Sequence, residues 1–158
     1  HTLTLVPSNN NHTEVWSAAV NIPFTYAGPD LPLPQPATFA GPSTISVSSP
    51  ADTSTVAGSS FNLTAGVSNF ELCGSCYGKT DVAGVGHWHV FVDQIDMAHM
   101  VTMASDATQA VPLAGVGPGW HTFYAVLVGN DHVPFMSPSG GLPPATVSAV
   151  RLYVRSNA

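Results

Sequence analysis

The stretch "GWHTFYAVLVGND", residues 119–131, is a long and nearly continuous apolar run. Its last three residues, glycine, asparagine and aspartate, are typical turn formers. Apolar runs of this kind are found in strands that are buried on both faces and that lie in the middle of a sheet. We therefore predict that this stretch forms a central β-strand and ends in a turn.

The segments on either side of this run also have the pattern of strands. Residues 87–95, 109–116 and 145–156 are apolar or alternating, and residues 43–72 show a strand, a turn that contains proline, and a second strand. One face of that second strand is apolar and consists of Phe61, Leu63, Ala65 and Val67. No apolar pattern has helical spacing, and 14 glycines and 14 prolines interrupt the chain. We therefore predict an all-β protein that forms an antiparallel two-sheet sandwich.

Residues 1–42 have a different composition, and we predict an extended N-terminal arm there, followed by the sandwich over residues 43–158. The arm contains two apolar runs and then a proline-rich segment, residues 27–42, that is close to polyproline II in character. The apolar side chains of the arm that need to be buried are those of Leu3, Leu5, Val15, Trp16, Val20, Ile22 and Phe24. They can pack on their own domain, or they can complete the sheet of a neighbouring copy by β-strand addition.

The charge composition restricts the partners. Only 8% of the residues are charged, and the formal net charge is −6. Three basic residues cannot provide the dense positive patch that nucleic-acid binding requires. We therefore exclude nucleic acids and anionic membranes as partners. The sequence also lacks a run of 18 or more apolar residues, so we expect no membrane span.

Several features are typical of an exported protein. The sequence begins with His1, without an initiator methionine or a charged-then-apolar leader, as expected for a processed chain. Two sequons make Asn11 and Asn62 candidate acceptors for N-linked glycans. We therefore expect a secreted protein that is located outside the cell or on its surface.

Cys73 and Cys76 are the only cysteines of the chain. Covalent haem attachment requires a histidine directly after the second cysteine, and Tyr77 has that place. A zinc site would require a second pair of ligands at a suitable spacing. In an exported protein we favour a small disulfide loop between Cys73 and Cys76. The alternative is a reduced pair that binds a metal or undergoes redox cycling.

Three segments together carry a resemblance to a known group of domains. They are "SSPADTSTVAGSSFNLTAGVSNFEL" (residues 48–72), "GVGHWHVFVD" (84–93) and "GPGWHTFYAVLVGNDHVPF" (117–135). Their order and their G-x-x-H-x-H-x-x-x-D and G-x-H…N-D-H patterns resemble the Ig-like β-sandwich domains of secreted bacterial and archaeal surface proteins. The resemblance covers about residues 43–155 and implies an Ig-like sandwich. The apolar arm also resembles, more weakly, the donor strands of archaeal pili and threads.

The histidines form the strongest candidate site. On an ideal strand His87 and His89 share one face, since side chains alternate along a strand. If the two histidine-containing segments are neighbours, four side chains can meet near one end of the sandwich: His87, His89, His121 and His132. Asp93 or Asp131 would then be their hydrogen-bond acceptors. Imidazole is a good ligand for copper and zinc, but a cluster held by hydrogen bonds alone is the alternative.

Two further patterns are relevant to copper. Met97, Met100 and Met103 surround His99, and this arrangement resembles the thioether-rich chelation of copper in secreted copper carriers. Packing in the core is the alternative role for these methionines. His1 can chelate copper through its amine and its ring together, as in the histidine brace of copper monooxygenases.

No common catalytic motif is present in the sequence, so we expect a non-enzymatic protein. Our first functional hypothesis is a structural subunit of an extracellular filament, in which copies of the chain are joined through the arm. The alternative is an extracellular copper- or zinc-binding protein that uses the histidine cluster. A histidine-brace copper monooxygenase is the third hypothesis.

Overall fold

A computed structural model of the chain describes residues 2–7, 15–23, 25, 42–134 and 141–155. The strands in these ranges are β1 (Thr2–Leu5), β2 (Val20–Pro23), β3 (Thr44–Ser49), β4 (Thr55–Val56), β5 (Ser60–Ser68), β6 (Glu71–Leu72), β7 (Val85–Val92), β8 (Met100–Ala104), β9 (Thr108–Pro112), β10 (Gly119–Gly129) and β11 (Val147–Val154). Three short 3-10 helices span Trp16–Ala18, Gly74–Cys76 and Pro144–Thr146. The chain divides into two compact units, His1–Leu33 and Pro34–Ala158.

In the larger unit, two sheets enclose the core. One sheet has the strand order β4-β11-β10-β7-β6, with β8 also paired to β7, and the other has the order β3-β5-β9. Neighbouring strands are antiparallel, except for two short parallel pairs, β4 with β11 and β6 with β7. Side chains from both sheets form one apolar cluster that includes the fully buried Leu63, Trp88, Phe123, Leu127 and Leu152. The prediction of an all-β sandwich is confirmed.

Strand β10 is the central strand that the apolar run predicts. It pairs antiparallel with β11 on one edge and with β7 on the other, and residues 125–130 are all buried. Strand β7 is enclosed in the same way, and residues 85–91 are all buried. Because β7 and β10 have neighbours on both edges and are covered on both faces, their side chains are held in fixed positions.

The apolar face predicted for residues 61–67 is confirmed in β5. Leu63 and Ala65 are buried, and Phe61 and Val67 pack against the core from partly buried positions. The alternation arises because successive side chains of a strand point to opposite faces of the sheet.

Strand β8 is not predicted from the sequence. Its pairing with β7 contains a register shift between Val90 and Phe91. Such an irregularity breaks the two-residue alternation that identifies a strand in a sequence. For this reason the methionine-containing segment, residues 97–103, does not show a strand pattern.

In the smaller unit, β1 and β2 pair with each other in an antiparallel two-stranded sheet, with Leu5 opposite Val20. Strand β1 coincides with the alternating pattern at the start of the arm. Val15 is partly buried, and Leu5, Val20 and Ile22 are exposed. The part of the structure that is described does not include His1, Asn11, His12, Phe24 or the side chains of Leu3 and Trp16.

Helices are short throughout the described residues. None of them has the length and apolar character that crossing a membrane would require.

Candidate metal centre

His87 and His89 lie on one face of β7, and Trp88 between them points into the core from the other face. The register with β10 places His87 opposite Val128 and His89 opposite Val126. The exposed fractions of His87 and His89 are only 0% and 2%. The H-x-H pattern thus places two imidazoles side by side in a buried part of the larger sheet, as the alternation of strand side chains predicts.

His132 joins these two histidines from the turn that follows β10. The turn is closed by the backbone N–H of His132, which donates to the carbonyl of Gly129 at 3.1 Å, and by the N–H of Gly129, which donates to the carbonyl of Val133 at 3.0 Å. His132 has a φ of 64°, in the left-handed region. Non-glycine residues rarely adopt this conformation, but histidine, asparagine and aspartate do so more often than most.

Three ring nitrogens converge at this point. The Nε2 atom of His87 lies 3.0 Å from Nε2 of His89 and 3.1 Å from Nδ1 of His132. The third side of the triangle, from His132 Nδ1 to His89 Nε2, is 3.4 Å. Among the described residues, these are the three side chains whose ligand atoms are close enough to hold one metal ion.

Hydrogen bonds alone cannot satisfy this triangle. Each nitrogen of a neutral imidazole carries either one hydrogen or one lone pair. If one of the three nitrogens is a donor, the other two face each other with lone pairs. If two are donors, they compete for a single lone pair and their hydrogens face each other. At least one of the three contacts is therefore unfavourable in every arrangement of neutral rings, whereas a cation can accept all three lone pairs at once.

The size of the triangle agrees with a metal site. Zinc binds histidine nitrogen at about 2.0–2.1 Å in tetrahedral geometry, which places two such nitrogens about 3.3–3.4 Å apart. The observed separations are 3.0, 3.1 and 3.4 Å. Only small side-chain movements are needed to bring the three nitrogens to ligand positions around one ion.

The local electrostatics keep His87 and His89 neutral. Burial, followed by repulsion from His89 and His132, lowers the pKa of His87 from 6.5 to about 3. Burial and repulsion from His132 lower the pKa of His89 to about 4. Metal ligation requires the neutral form of histidine. Protons therefore do not compete for these two lone pairs at neutral pH.

Two buried polar atoms near this end of the larger sheet have no hydrogen-bond partner among the described residues. They are Nδ1 of His87 and Oδ1 of Asn130. An unpaired buried polar group costs about 1–3 kcal/mol, and such groups in a native structure need an explanation. Both atoms lie in the histidines or in the turn that carries His132, so the unpaired polar groups are concentrated at this end of the sheet.

A disulfide loop covers the histidines. Cys73 and Cys76 are joined, as predicted, and their Cα atoms are 5.4 Å apart. The loop is attached to β7 and to the turn that follows β10, since the N–H of Cys73 donates to the carbonyl of Gly86 and the N–H of Gly78 donates to the carbonyl of Asn130, each at 2.8 Å. Tyr77 is the residue that follows Cys76 in this loop.

The Tyr77 ring lies over the cluster, with its centroid 4.5 Å from that of His87 and 5.8 Å from that of His132. In the sequence, Tyr77 is notable only because it excludes covalent haem attachment. Its contact with His87 cannot be seen from its position in the sequence, because it depends on how the loop attaches to β7 and to the turn that follows β10.

The expectation that His121 joins the cluster requires correction. Its Nδ1 donates to Asp93 at 2.7 Å, and its Nε2 lies 3.0 Å from the carbonyl of Gly117. Val126 is the β10 residue opposite His89, and His121 lies five residues before it. At about 3.4 Å per residue, His121 is therefore roughly 17 Å along the strand from the position opposite His89. It also lies on the opposite face of β10. The predicted role of Asp93 as an acceptor holds for His121, whereas Asp131 accepts from the N–H of Val133.

His99, around which the three methionines are grouped in the sequence, contacts a carboxylate. The His99 Nδ1 atom donates to the carboxylate of Asp96 at 2.7 Å. The backbone N–H groups of Ala98 and His99 donate to the same carboxylate. These hydrogen bonds, that of the His99 ring first, lower the pKa of Asp96. Met97 and Met103 are exposed, and Met100 is partly buried. His1, the residue required for a histidine brace, lies outside the described residues.

No family model, no curated protein and no solved structure matches the chain.

Proposed function

We propose that the protein binds one transition-metal ion, copper or zinc, through Nε2 of His87, Nε2 of His89 and Nδ1 of His132. The nitrogen triangle carries this proposal, because hydrogen bonds cannot satisfy it and a shared cation can. Nitrogen ligands are suited to copper and zinc, whereas magnesium and calcium require oxygen ligands. The three histidines include no carboxylate partner in this group, which argues for copper or zinc over magnesium or calcium.

We propose a binding role and no catalysis. Two of the three ligands are fully buried, and Tyr77 covers the cluster. An enclosed set of ligands is typical of sites that hold a metal, whereas catalytic sites keep a position open to substrate. The site is therefore suited to storing or carrying an ion, or to stabilising the sandwich.

The first prediction concerns His132. Metal-free wild-type protein should take up one Zn²⁺ or copper ion per chain in isothermal titration calorimetry. The H132N variant should bind at least about tenfold more weakly, because one of three ligands is lost. Asparagine tolerates the left-handed backbone at this position, so the variant should keep its fold.

The H99N variant is the matched control, because His99 lies outside the cluster. It should bind zinc as tightly as the wild type. The proposal would be wrong if wild-type protein takes up no metal, or if H132N binds with unchanged affinity while circular dichroism shows that it is folded.

As a second role we propose assembly with other copies of the chain through residues 1–25. The supporting observation is the exposure of Leu5, Val20 and Ile22 in the β1–β2 sheet. Two-stranded sheets are marginally stable by themselves. Pairing with a strand of another copy would satisfy the open edges of this sheet and cover its apolar side chains.

The second prediction tests this role in the full-length chain. The double variant V20T/I22T keeps β-branched residues in β2 but removes apolar contact surface. It should assemble less than the wild type when light scattering is measured over a range of concentrations, and deletion of residues 1–25 should abolish assembly. A deleted chain that forms the same polymer, seen by electron microscopy, would exclude the arm as the joining element.

Secretion and glycosylation stay predictions from the sequence. The disulfide supports an oxidising compartment. Asn62 is exposed on β5 and is therefore accessible to a glycan, while Asn11 lies outside the described residues.

A further inference from the structure

We propose that the thioether of Met103 is the fourth ligand of the histidine site, and that this sulfur makes the site select Cu(I) over Zn²⁺. The inference rests on the proposed binding of a metal by the three histidines. It adds a ligand from a different strand and identifies which of the two metals the site prefers.

The β7–β8 pairing carries the inference. Met103 is the direct antiparallel partner of His89. The side chains of two directly opposite residues lie on the same face of a sheet, with Cβ atoms about 4.5–5.5 Å apart. Met103 therefore lies on the face that carries His87 and His89, within reach of the cluster for a long and flexible side chain.

The neighbouring residues of β8 are not placed in this way. Ala104 is opposite Trp88, and Thr102 is opposite Val90. Trp88, Val90 and Ala104 belong to the apolar core between the sheets. Met100 is opposite Phe91, on the face that also carries His89, so Met103 is the residue of β8 that lies directly opposite a histidine.

The exposure of Met103 argues against a packing role. Its side chain is 39% exposed, whereas His89 opposite it is 2% exposed. A methionine that fills the core would be buried. Met103 instead lies at the surface, directly opposite the buried His89.

The chemistry of sulfur determines the choice of metal. Thioether is a soft ligand that favours Cu(I), while imidazole accepts both copper and zinc. Adding one thioether to three imidazoles should therefore increase the affinity for Cu(I) much more than the affinity for Zn²⁺. No change in the oxidation state of the metal or of the protein is required, since only binding is proposed.

The third prediction compares M103L with the wild type. Leucine has a similar volume and no sulfur. The affinity for Cu(I) is measured by competition with bicinchoninate in the presence of ascorbate, and the affinity for Zn²⁺ by competition with a chromophoric chelator. M103L should bind Cu(I) at least about tenfold more weakly and Zn²⁺ less than about threefold more weakly. Copper X-ray absorption should show a directly bound sulfur in the wild type and none in M103L.

The M97L variant is the matched control, because Met97 is also exposed but lies outside β8. It should bind both metals like the wild type. Unchanged Cu(I) affinity in M103L, an equal loss for both metals, or a copper spectrum without sulfur in the wild type would overturn the role of Met103. If the wild type binds neither metal, the three-histidine site itself is wrong, so the two failures are distinguishable.

Discussion

His87, His89 and His132 differ from His99 and His121 in the groups that their ring nitrogens contact. His99 and His121 each donate to a nearby carboxylate, as surface histidines often do. The three clustered rings contact one another, and two of them are fully buried. Burial and mutual repulsion therefore oppose protonation of His87 and His89.

This difference predicts how the stability of the metal-free protein depends on pH. The pKa values of His87 and His89 are lowered to about 3 and about 4 in the folded chain, while both are near 6.5 in the unfolded chain. Below pH 6.5 the unfolded chain binds protons that the folded chain does not bind. The free energy of unfolding should therefore decrease as pH falls from about 6.5 to about 3, by up to about 1.4 kcal/mol per pH unit for each histidine.

Urea unfolding between pH 6.5 and 4.5 measures this fourth prediction. In this interval the lowered pKa values of Asp93 and Asp96 contribute little, because carboxylates with lowered pKa lose their stabilising effect at more acidic pH. The groups that face His87 are His89, His132 and Tyr77. A constant free energy of unfolding over the interval would contradict the assignment.

The pairing of β7 with β10 determines where the cluster forms. Gly86 and Gly129 are direct partners in this pairing, at the end of the strands that carries His87. A Cβ atom at Gly86 would collide with the carbonyl oxygen of Val128 and would lie 3.0 Å from the Phe70 ring. Glycine is therefore required for the close approach of the backbone at this position.

The fifth prediction is that G86A destabilises the sandwich by about 1–3 kcal/mol, because a methyl group there overpacks a site enclosed by backbone. Thermal and urea unfolding measure the change. G66A is the matched control, since a Cβ at Gly66 in β5 meets nothing within 4 Å; it should change stability by less than about 0.5 kcal/mol. Equal free energies of unfolding for G86A and G66A would show that β7 can move away from β10 without loss of stability.

At the scale of the whole sandwich, the two central strands separate the histidines into different environments. His121, near the start of β10, binds Asp93 just beyond the end of β7. The cluster forms at the other end of the same pair of strands, where His87 is opposite Val128 and the turn that follows β10 supplies His132. The disulfide loop is attached to β7 and to the turn that follows β10 at this second end, and it brings Tyr77 over the rings.

Much of this architecture follows from local patterns. The apolar run at residues 119–131 predicts the central strand, and the alternation at residues 61–67 predicts the core face of β5. The H-x-H spacing predicts that His87 and His89 share a face. These predictions depend on the conformation of one segment at a time, which the residues of that segment largely determine.

The tertiary structure alone decides which histidines meet. His121 is excluded and His132 included because of the antiparallel register of β7 and β10, and that register depends on residues more than 30 positions apart. The placement of Met103 opposite His89 requires a strand whose alternation is interrupted by a register shift. Local patterns contain no information on such pairings, since register is determined by the contacts that bury the whole core at once.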